Sequence, residues 1–235
     1  MFAIYKRELR SYFVSAIGYV FLAVLIALSA AIFSMTTLLA GTSDISAYFE
    51  MMLFVLMIAL PLLTMKLFSE ERKMKTEQLL LTSPVSISSM VTAKFFAAFT
   101  VFFGANLLCS LAYISLFVYG EPEAGVIIGN IIALSLVGAS FIAIGIFVSS
   151  LTENQLAAAI GTLAIILAML VIGMLGSVIP WYPVRFVLSW FSILARFSNF
   201  TNGFFDFSAL FYYISLCFVF LFVTCRVYER RRYGA

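Results

Sequence analysis

Six long runs of apolar residues divide the chain, and short polar segments separate them. The runs cover about 17–39, 51–68, 93–119, 125–149, 156–180 and 208–227. A helix rises 1.5 Å per residue, so about 20 apolar residues cross a hydrocarbon core of about 30 Å. The apolar positions are continuous rather than alternating, which favours helices over the strands of a barrel. The pattern therefore predicts an all-α integral membrane protein with six transmembrane helices.

A shorter amphipathic segment, 1–16, precedes the first run. Its apolar residues recur at helical spacing, at Phe2, Tyr5, Leu9, Tyr12 and Phe13. Its other side carries three basic residues, Lys6, Arg7 and Arg10. This pattern predicts a helix lying in the membrane interface, and the alternative is an ordinary flank of the first span. The run that follows exceeds the h-region of a signal peptide, so we expect a retained first span.

Composition strengthens the membrane interpretation. Of 235 residues, 64% are hydrophobic and 11% are charged, whereas soluble domains carry about 25% charge. Three cysteines, Cys109, Cys217 and Cys225, lie in or at the ends of apolar runs without metal-ligand spacing, and the chain has no histidine. We therefore expect buried structural thiols, with neither a disulfide framework nor a histidine-containing metal site.

The basic residues predict the orientation of the spans. If both termini are cytoplasmic, only Arg185 and Arg196 of the 14 lysines and arginines fall on the outer side. The positive-inside rule therefore favours a multi-pass protein with both termini in the cytoplasm.

The loop between the second and third runs has an unusual composition. It reads SEERKMKTEQLLLTSPVS over 69–86, with charges of both signs followed by three leucines and Pro84. Leucines in a cytoplasmic loop are costly unless something covers them, and Pro84 would end a helix there. The pattern predicts a short helix with one charged and one apolar side. It is either a docking element for a partner protein or a segment packed against 1–16.

The spans contain few residues that could carry chemistry. They hold no securely placed ionisable group, which disfavours an ion antiporter, a channel with a charged ring and an intramembrane enzyme. The polar candidates for a pathway or a helix interface are Asn106, Ser110 and Asn130. Interhelical hydrogen bonding is the commoner use of such residues, and the spacing of Gly125, Gly129 and Ala133 predicts close helix packing.

The loop 69–86 and its flanks resemble the ABC-2 type permeases, the membrane subunits of ABC transporters. The stretch YKRELRSYFVSAIGYVFLA near the N-terminus resembles in particular the GldF-like permeases of gliding motility. The aromatic-rich stretch from FSNFTNGFFD to the last span also resembles this group. The matching positions of the loop and of the next span are Glu70, Glu71, Arg72, Thr76, Leu79, Leu80, Ser83, Pro84 and Lys94.

This resemblance implies one ABC-2 permease domain over 1–235, of the type V exporter-like architecture. Segment 1–16 would be an N-terminal elbow helix, about 70–84 a cytoplasmic coupling helix, and 181–206 a region of short external re-entrant helices between spans five and six. The residues expected to contact an ATPase are Glu70, Glu71, Arg72, Lys73, Thr76, Leu79, Leu80, Ser83 and Pro84.

The resemblance further implies a permease subunit of a bacterial inner-membrane transporter, which is more usually an exporter. The chain has no nucleotide-binding motif, so we expect no enzyme activity and no cofactor in it. ATP and Mg²⁺ would bind a separate cytoplasmic ABC ATPase dimer. The other expected partners are a second copy or a related permease and the lipid bilayer, without nucleic acid. The alternative function is a non-transporting scaffold or assembly factor of a surface machine.

Overall fold

The computed structural model describes residues 1–78, 85–120, 123–178, 192–201 and 206–233, and no strand occurs among them. The first helices are α1, Phe2–Val14; α2, Ala16–Phe33, with a π-helical turn over Ser34–Leu38; α3, Ser46–Thr64; and α4, Lys66–Lys73. Next come α5, Ile87–Ser110, a 3₁₀ turn, Leu111–Tyr113, and α6, Ile114–Tyr119. The last are α7, Ala124–Leu151; α8, Gln155–Val178; α9, Ile193–Thr201; and α10, Phe207–Tyr233.

Within the part of the chain that the structure describes, six helical stretches are long and apolar enough to cross a membrane. They are Ala16–Leu38, Ser46–Lys73, Ile87–Val118, Ala124–Leu151, Gln155–Leu175 and Phe207–Arg232. The prediction of an all-α, multi-pass membrane protein with six membrane helices is therefore confirmed. The second stretch is longer than predicted, because α4 follows α3 after the single residue Met65, whose N–H donates to the Pro61 carbonyl at 2.9 Å.

Helix α7 forms the centre of the bundle. In its most apolar stretch 72% of residues are buried, against 17% in α10. Two glycines allow neighbours to approach α7: a Cβ at Gly138 would lie 2.1 Å from the Phe102 ring, and one at Gly145 would lie 2.1 Å from Thr64 Oγ1. The predicted close packing at Gly125 and Gly129 is wrong, since a Cβ at either meets no atom within 4 Å.

Helix α1 packs along the bundle through a face that the sequence predicted only in part. Tyr12 is buried, and its hydroxyl donates to the Leu63 carbonyl at 3.2 Å. Phe2 and Phe13, which the pattern placed on the same apolar side, are exposed, whereas Glu8 is buried. A charged residue, Glu8, therefore lies in the packed face of this amphipathic helix.

The region expected to hold external re-entrant helices is described only at 192–201 and at residue 206. Helix α9 buries Ile193, Phe197 and Phe200, and the Tyr213 hydroxyl donates to the Ile193 carbonyl at 3.0 Å. This contact fixes α9 against the beginning of α10. The remainder of 181–206 lies outside the described residues.

Candidate functional site

One end of the bundle gathers charged side chains from five separate parts of the chain, and we call it the charged end. Its residues come from α1, α4 and the turn after it, α5, the turn after α7, and the last turns of α10. They are Arg7, Glu8, Lys66, Glu70, Glu71, Arg72, Glu77, Lys94, Glu153 and Arg231. Helices α1 and α10 both reach this end, as an even number of spans requires.

The centre of the charged end is a cluster of four charges around Lys94, which we call the buried cluster, and the Arg7 side chain at its edge is 55% exposed. Lys94 is 0% exposed, and its Nζ lies 2.9 Å from Glu71 Oε1 and 3.3 Å from Glu8 Oε1. Arg7 Nη2 closes the cluster, 2.7 Å from the same Glu8 oxygen and 3.0 Å from the same Glu71 oxygen. Two cations and two carboxylates therefore compensate one another, which satisfies charges that would be costly to bury alone.

Neutral groups complete the surroundings of Lys94. Its Nζ donates to the Leu67 carbonyl at 2.7 Å and lies 4.9 Å from the centre of the Phe68 ring. The Phe68 ring packs against Tyr228 at a centroid distance of 4.7 Å. The lysine on α5 thus joins α1 and α4, and its aromatic neighbour reaches α10. Hydrogen bonding to the Glu8 carboxylate raises the pKa of Arg7, so Arg7 stays charged.

A second set of contacts attaches α4 to the end of α7. Ser149 Oγ accepts from the N–H groups of Phe68 and Ser69, both at 3.1 Å, and donates to the Met65 carbonyl at 3.0 Å. The N–H groups in the first turn of a helix have no partner within that helix. One hydroxyl therefore satisfies two such donors and fixes the start of α4 on α7.

Arginines satisfy the free carbonyls where α7 ends. Arg72 Nη1 donates to the Leu151 carbonyl at 2.7 Å, and its Nε lies 3.0 Å from Glu153. From α10, Arg231 Nη2 donates to the Ser150 carbonyl at 2.8 Å, and its Nη1 lies 3.1 Å from Glu77. The last carbonyls of a helix need such donors. These contacts attach the end of α4, the turn after α4 and α10 to the C-terminal end of α7.

The outward side of α4 and the following turn is free of these contacts. Glu70, Lys73, Met74, Lys75 and Thr76 are exposed, and Met74 is 67% exposed. Lys75 adopts a left-handed conformation with φ 56°, which turns the chain sharply after α4. The result is a short convex strip of mixed charge with one apolar side chain, which we call the outward strip.

The structure separates the predicted coupling residues into two groups. Glu71 and Arg72 contact other parts of the same chain, whereas Glu70, Lys73 and Thr76 lie on the outward strip. Leu79, Leu80, Ser83 and Pro84 lie outside the described residues. One helix begins at Lys66 and ends at Lys73, so it overlaps only the first part of the predicted range of about 70–84, and the chain is helical again at Glu77 and Gln78. Residues 79–84 of that range lie outside the described residues. The buried side of α4 consists of Leu67, Phe68 and Ser69, of which the sequence assigned the first two to the second span and Ser69 to the loop.

Part of the loop does contact 1–16, since Arg7 Nη2 donates to Glu71 Oε1 at 3.0 Å. That its leucines pack there stays a prediction, because they lie outside the described residues. The contact between Arg7 and Glu71 does not replace docking, because Lys73, Met74 and Lys75 of the outward strip are exposed and do not line the space beside α1. Lys6 and Arg10, the other basic residues of the predicted elbow helix, are exposed. Arg7 alone of the three contributes to the buried cluster.

The polar candidates within the spans make local or interhelical contacts. Asn106 Nδ2 donates to Ser135 Oγ at 3.1 Å, which joins α5 to α7. Ser110 Oγ donates to the Leu107 carbonyl at 2.7 Å within its own helix. Asn130 Nδ2 donates to the Val126 carbonyl at 2.9 Å, and its Oδ1 is buried without a partner in the described structure. Asn106 is thus a helix-interface residue in this structure.

Sequence reasoning missed Glu8, Glu153 and Arg231 as parts of the site. For Glu8 a signal existed, since it stands four residues before Tyr12 and therefore on the same face of α1. For Glu153 and Arg231 no local pattern points to Arg72 or Glu77, because their contacts join distant segments.

Within the described residues, no group of histidine, cysteine, aspartate and glutamate side chains is arranged to hold a metal ion. Comparisons with protein-family models and with curated proteins found no match.

Proposed function

We propose that this chain is the membrane-spanning permease subunit of an ATP-binding cassette transporter, and that the charged end receives a separate cytoplasmic ATPase. One observation carries the proposal: an exposed strip of mixed charge stands on a base fixed to four other helices. Lys73, Met74 and Thr76 on this strip can contact a partner without disturbing an internal ion pair. An interface of this kind combines an apolar anchor with a polar rim.

The base of the strip explains how a partner could act on the membrane domain. Helix α4 is attached to α1 and α5 through Glu71, to α7 through Ser149 and Arg72, and its turn to α10 through Glu77. A tightly packed element transmits displacement rather than absorbing it. Closure of an ATPase dimer against the strip would therefore shift several membrane helices together.

Two features of the sequence support the choice of partner and orientation. The loop resembles the region of ABC-2 permeases that contacts the ATPase, and almost all lysines and arginines fall on the side of the charged end. The positive-inside rule places that side in the cytoplasm, where ATP is available. A second permease copy or a related chain would complete the pathway, and export is the direction that the resemblance favours.

Co-purification from native membranes tests this proposal. A tagged chain in mild detergent should retain an ATP-binding protein in stoichiometric amount. A double variant of the strip, Lys73→Glu with Met74→Asp, should lose it by about tenfold or more, because it replaces an apolar anchor and reverses a charge. The matched control is Glu123→Lys, a charge reversal at the exposed residue preceding α7, at the opposite end of the bundle.

The earlier candidates Glu71 and Arg72 are poor choices for this test, since their replacement would also break internal contacts. Recovery of the chain with membrane proteins that bind no nucleotide would contradict the permease assignment and favour the scaffold. Recovery of an ATPase whose hydrolysis of ATP changes the contents of neither side of the membrane would also contradict the permease assignment and favour the scaffold.

A further inference from the structure

A cavity of about 780 Å³ lies between α1, the residue Ser15 that follows it, α4 with the turn after it, and Lys94 of α5. Its wall contains equal numbers of cationic and anionic side chains. They are Arg7, Lys66, Lys94, Glu8, Glu70 and Glu71. A lining without net charge does not favour a simple anion or a simple cation.

Two of these charges are not compensated by the protein. The buried cluster pairs Arg7 and Lys94 with Glu8 and Glu71. Lys66 Nζ contacts only a neutral group, Ser15 Oγ at 3.2 Å. Among the described residues no cation pairs with the Glu70 carboxylate, and Lys66 forms no ion pair. The cavity thus offers one free ammonium and one free carboxylate.

The spacing of these two groups matches a small zwitterion. Lys66 and Glu70 stand four residues apart in α4, so their Cβ atoms are about 6 Å apart on one face of the helix. The Ser15 hydroxyl also lines the cavity, beside Lys66. A phosphate could accept hydrogen bonds from Lys66 and Ser15 while a neighbouring ammonium donates to Glu70.

The cavity lies where the apolar and polar parts of the bundle meet. Lys66 stands two residues after the end of the apolar helix α3, and Val14 on the cavity wall is 76% exposed. Polar head groups of a bilayer occupy this level, just outside the hydrocarbon core. An exposed valine beside the charged groups can contact the beginning of an acyl chain.

We propose that this cavity binds the phosphoethanolamine head group of a membrane phospholipid. The phosphate contacts Lys66 and Ser15, and the ammonium donates to Glu70. Phosphocholine lacks N–H donors, and phosphoglycerol lacks the positive charge, so both fit less well. The lipid connects the turn between α1 and α2 to α4 and stabilises their contact. This site does not depend on the proposed transport function.

Native mass spectrometry of the delipidated full chain in detergent tests the site without any variant. The lipids are dioleoyl phosphatidylethanolamine, phosphatidylcholine and phosphatidylglycerol, titrated separately. We expect the ethanolamine lipid to bind about tenfold more tightly than the other two, as the loss of one charged hydrogen bond implies. Soluble glycerophosphoethanolamine, titrated in the same way, should bind more weakly than the lipid because it lacks acyl chains.

Two variants locate the binding. Glu70→Gln should remove the preference for ethanolamine over choline and leave phosphate recognition intact. Lys66→Met should weaken the binding of all three lipids by about tenfold. The matched controls are Lys73→Met and Glu123→Gln, exposed residues that do not line the cavity, and both should bind as the unmodified chain does.

Three results would overturn the proposal. Equal affinity for the three lipids would exclude recognition of the head group. An unchanged ethanolamine preference in Glu70→Gln would place recognition elsewhere and leave Glu70 to pair with Lys66. Equal affinity for the soluble ester and the lipid would exclude a membrane lipid as the source of the group.

Discussion

At the scale of single residues, Lys94 shows which contacts the sequence could not predict. The sequence indicated a basic residue at the head of the third span, which favours a cytoplasmic position. The structure buries it completely between Glu8 and Glu71, from two other segments. Local patterns report which face of a helix is polar, but they do not report which distant charge will meet it. Lys94 is therefore a structural residue at the junction of three helices.

Removing the charge of Lys94 should destabilise the protein. Lys94→Met keeps much of the side-chain volume but leaves two carboxylates near each other with Arg7 as their remaining cation. Breaking a buried ion pair in this way costs about 3–5 kcal/mol. Thermal unfolding in detergent should therefore show a clear fall in Tm. Lys73→Met, an exposed lysine seven residues after Lys66, is the control and should leave Tm nearly unchanged.

The double variant Lys94→Met with Glu71→Gln extends this test. It removes one positive and one negative charge, so its loss of stability should be smaller than the sum of the single effects. Equal Tm values for Lys94→Met and the unmodified chain would mean that the cluster does not stabilise the junction.

At the scale of elements, hydropathy predicted the spans well, because a helix needs about 20 apolar residues to cross the membrane whatever its tertiary contacts are. The boundaries of α4 could not be predicted in the same way. Its first turn, with Leu67 and Phe68, continues the apolar pattern of α3, and only tertiary contacts separate the two helices. The sequence left two interpretations of the loop open, docking to a partner protein and packing against α1. Charged residues such as Arg7 and Glu71 fit either one, because they can pair with a partner or with each other.

The turn between α1 and α2 depends on a glycine. A Cβ at Gly18 would lie 2.4 Å from the Tyr12 carbonyl oxygen, a backbone atom that cannot move without moving α1. We therefore expect Gly18→Ala to displace α1, weaken the Arg7–Glu71 contact and lower Tm. In contrast, a Cβ at Gly104 in α5 meets no atom within 4 Å. Gly104→Ala should keep or raise stability, by up to about 1 kcal/mol.

Circular dichroism and thermal unfolding in detergent measure both glycine variants. If Gly18→Ala unfolded at the same temperature as the unmodified chain, α1 would not be packed against α2 as closely as the structure indicates.

At the scale of the whole molecule, charge separates the two ends of the bundle. The contacts of Arg7, Arg72 and Arg231 bring α1, α4 and α10 to one end, while the segment between α2 and α3 lies at the other. The sequence predicted this arrangement from six spans and the distribution of basic residues. It could not predict the outward strip, because exposure of Met74 follows from the left-handed turn at Lys75 and from the internal pairing of its neighbours.

Labelling of single cysteines tests the orientation. Met74→Cys marks the charged end and Thr42→Cys marks the opposite end, and both positions are exposed. A membrane-impermeant maleimide on intact cells should label only Thr42→Cys, while permeabilised cells should also show labelling of Met74→Cys. The unmodified chain controls for the native cysteines. Labelling of Met74→Cys in intact cells would reverse the orientation and exclude a cytoplasmic ATPase at the charged end.

Site-specific photo-cross-linking in living cells tests the central claim most directly. A photoreactive amino acid replaces Met74 on the outward strip, and the same replacement at Thr42 is the control at the opposite end. We predict that irradiation joins the chain to an ATP-binding protein from position 74 and not from position 42. Cross-links from Met74 only to lipid, to other parts of this chain or to proteins without a nucleotide site would contradict the claim that an ATPase docks on the charged end.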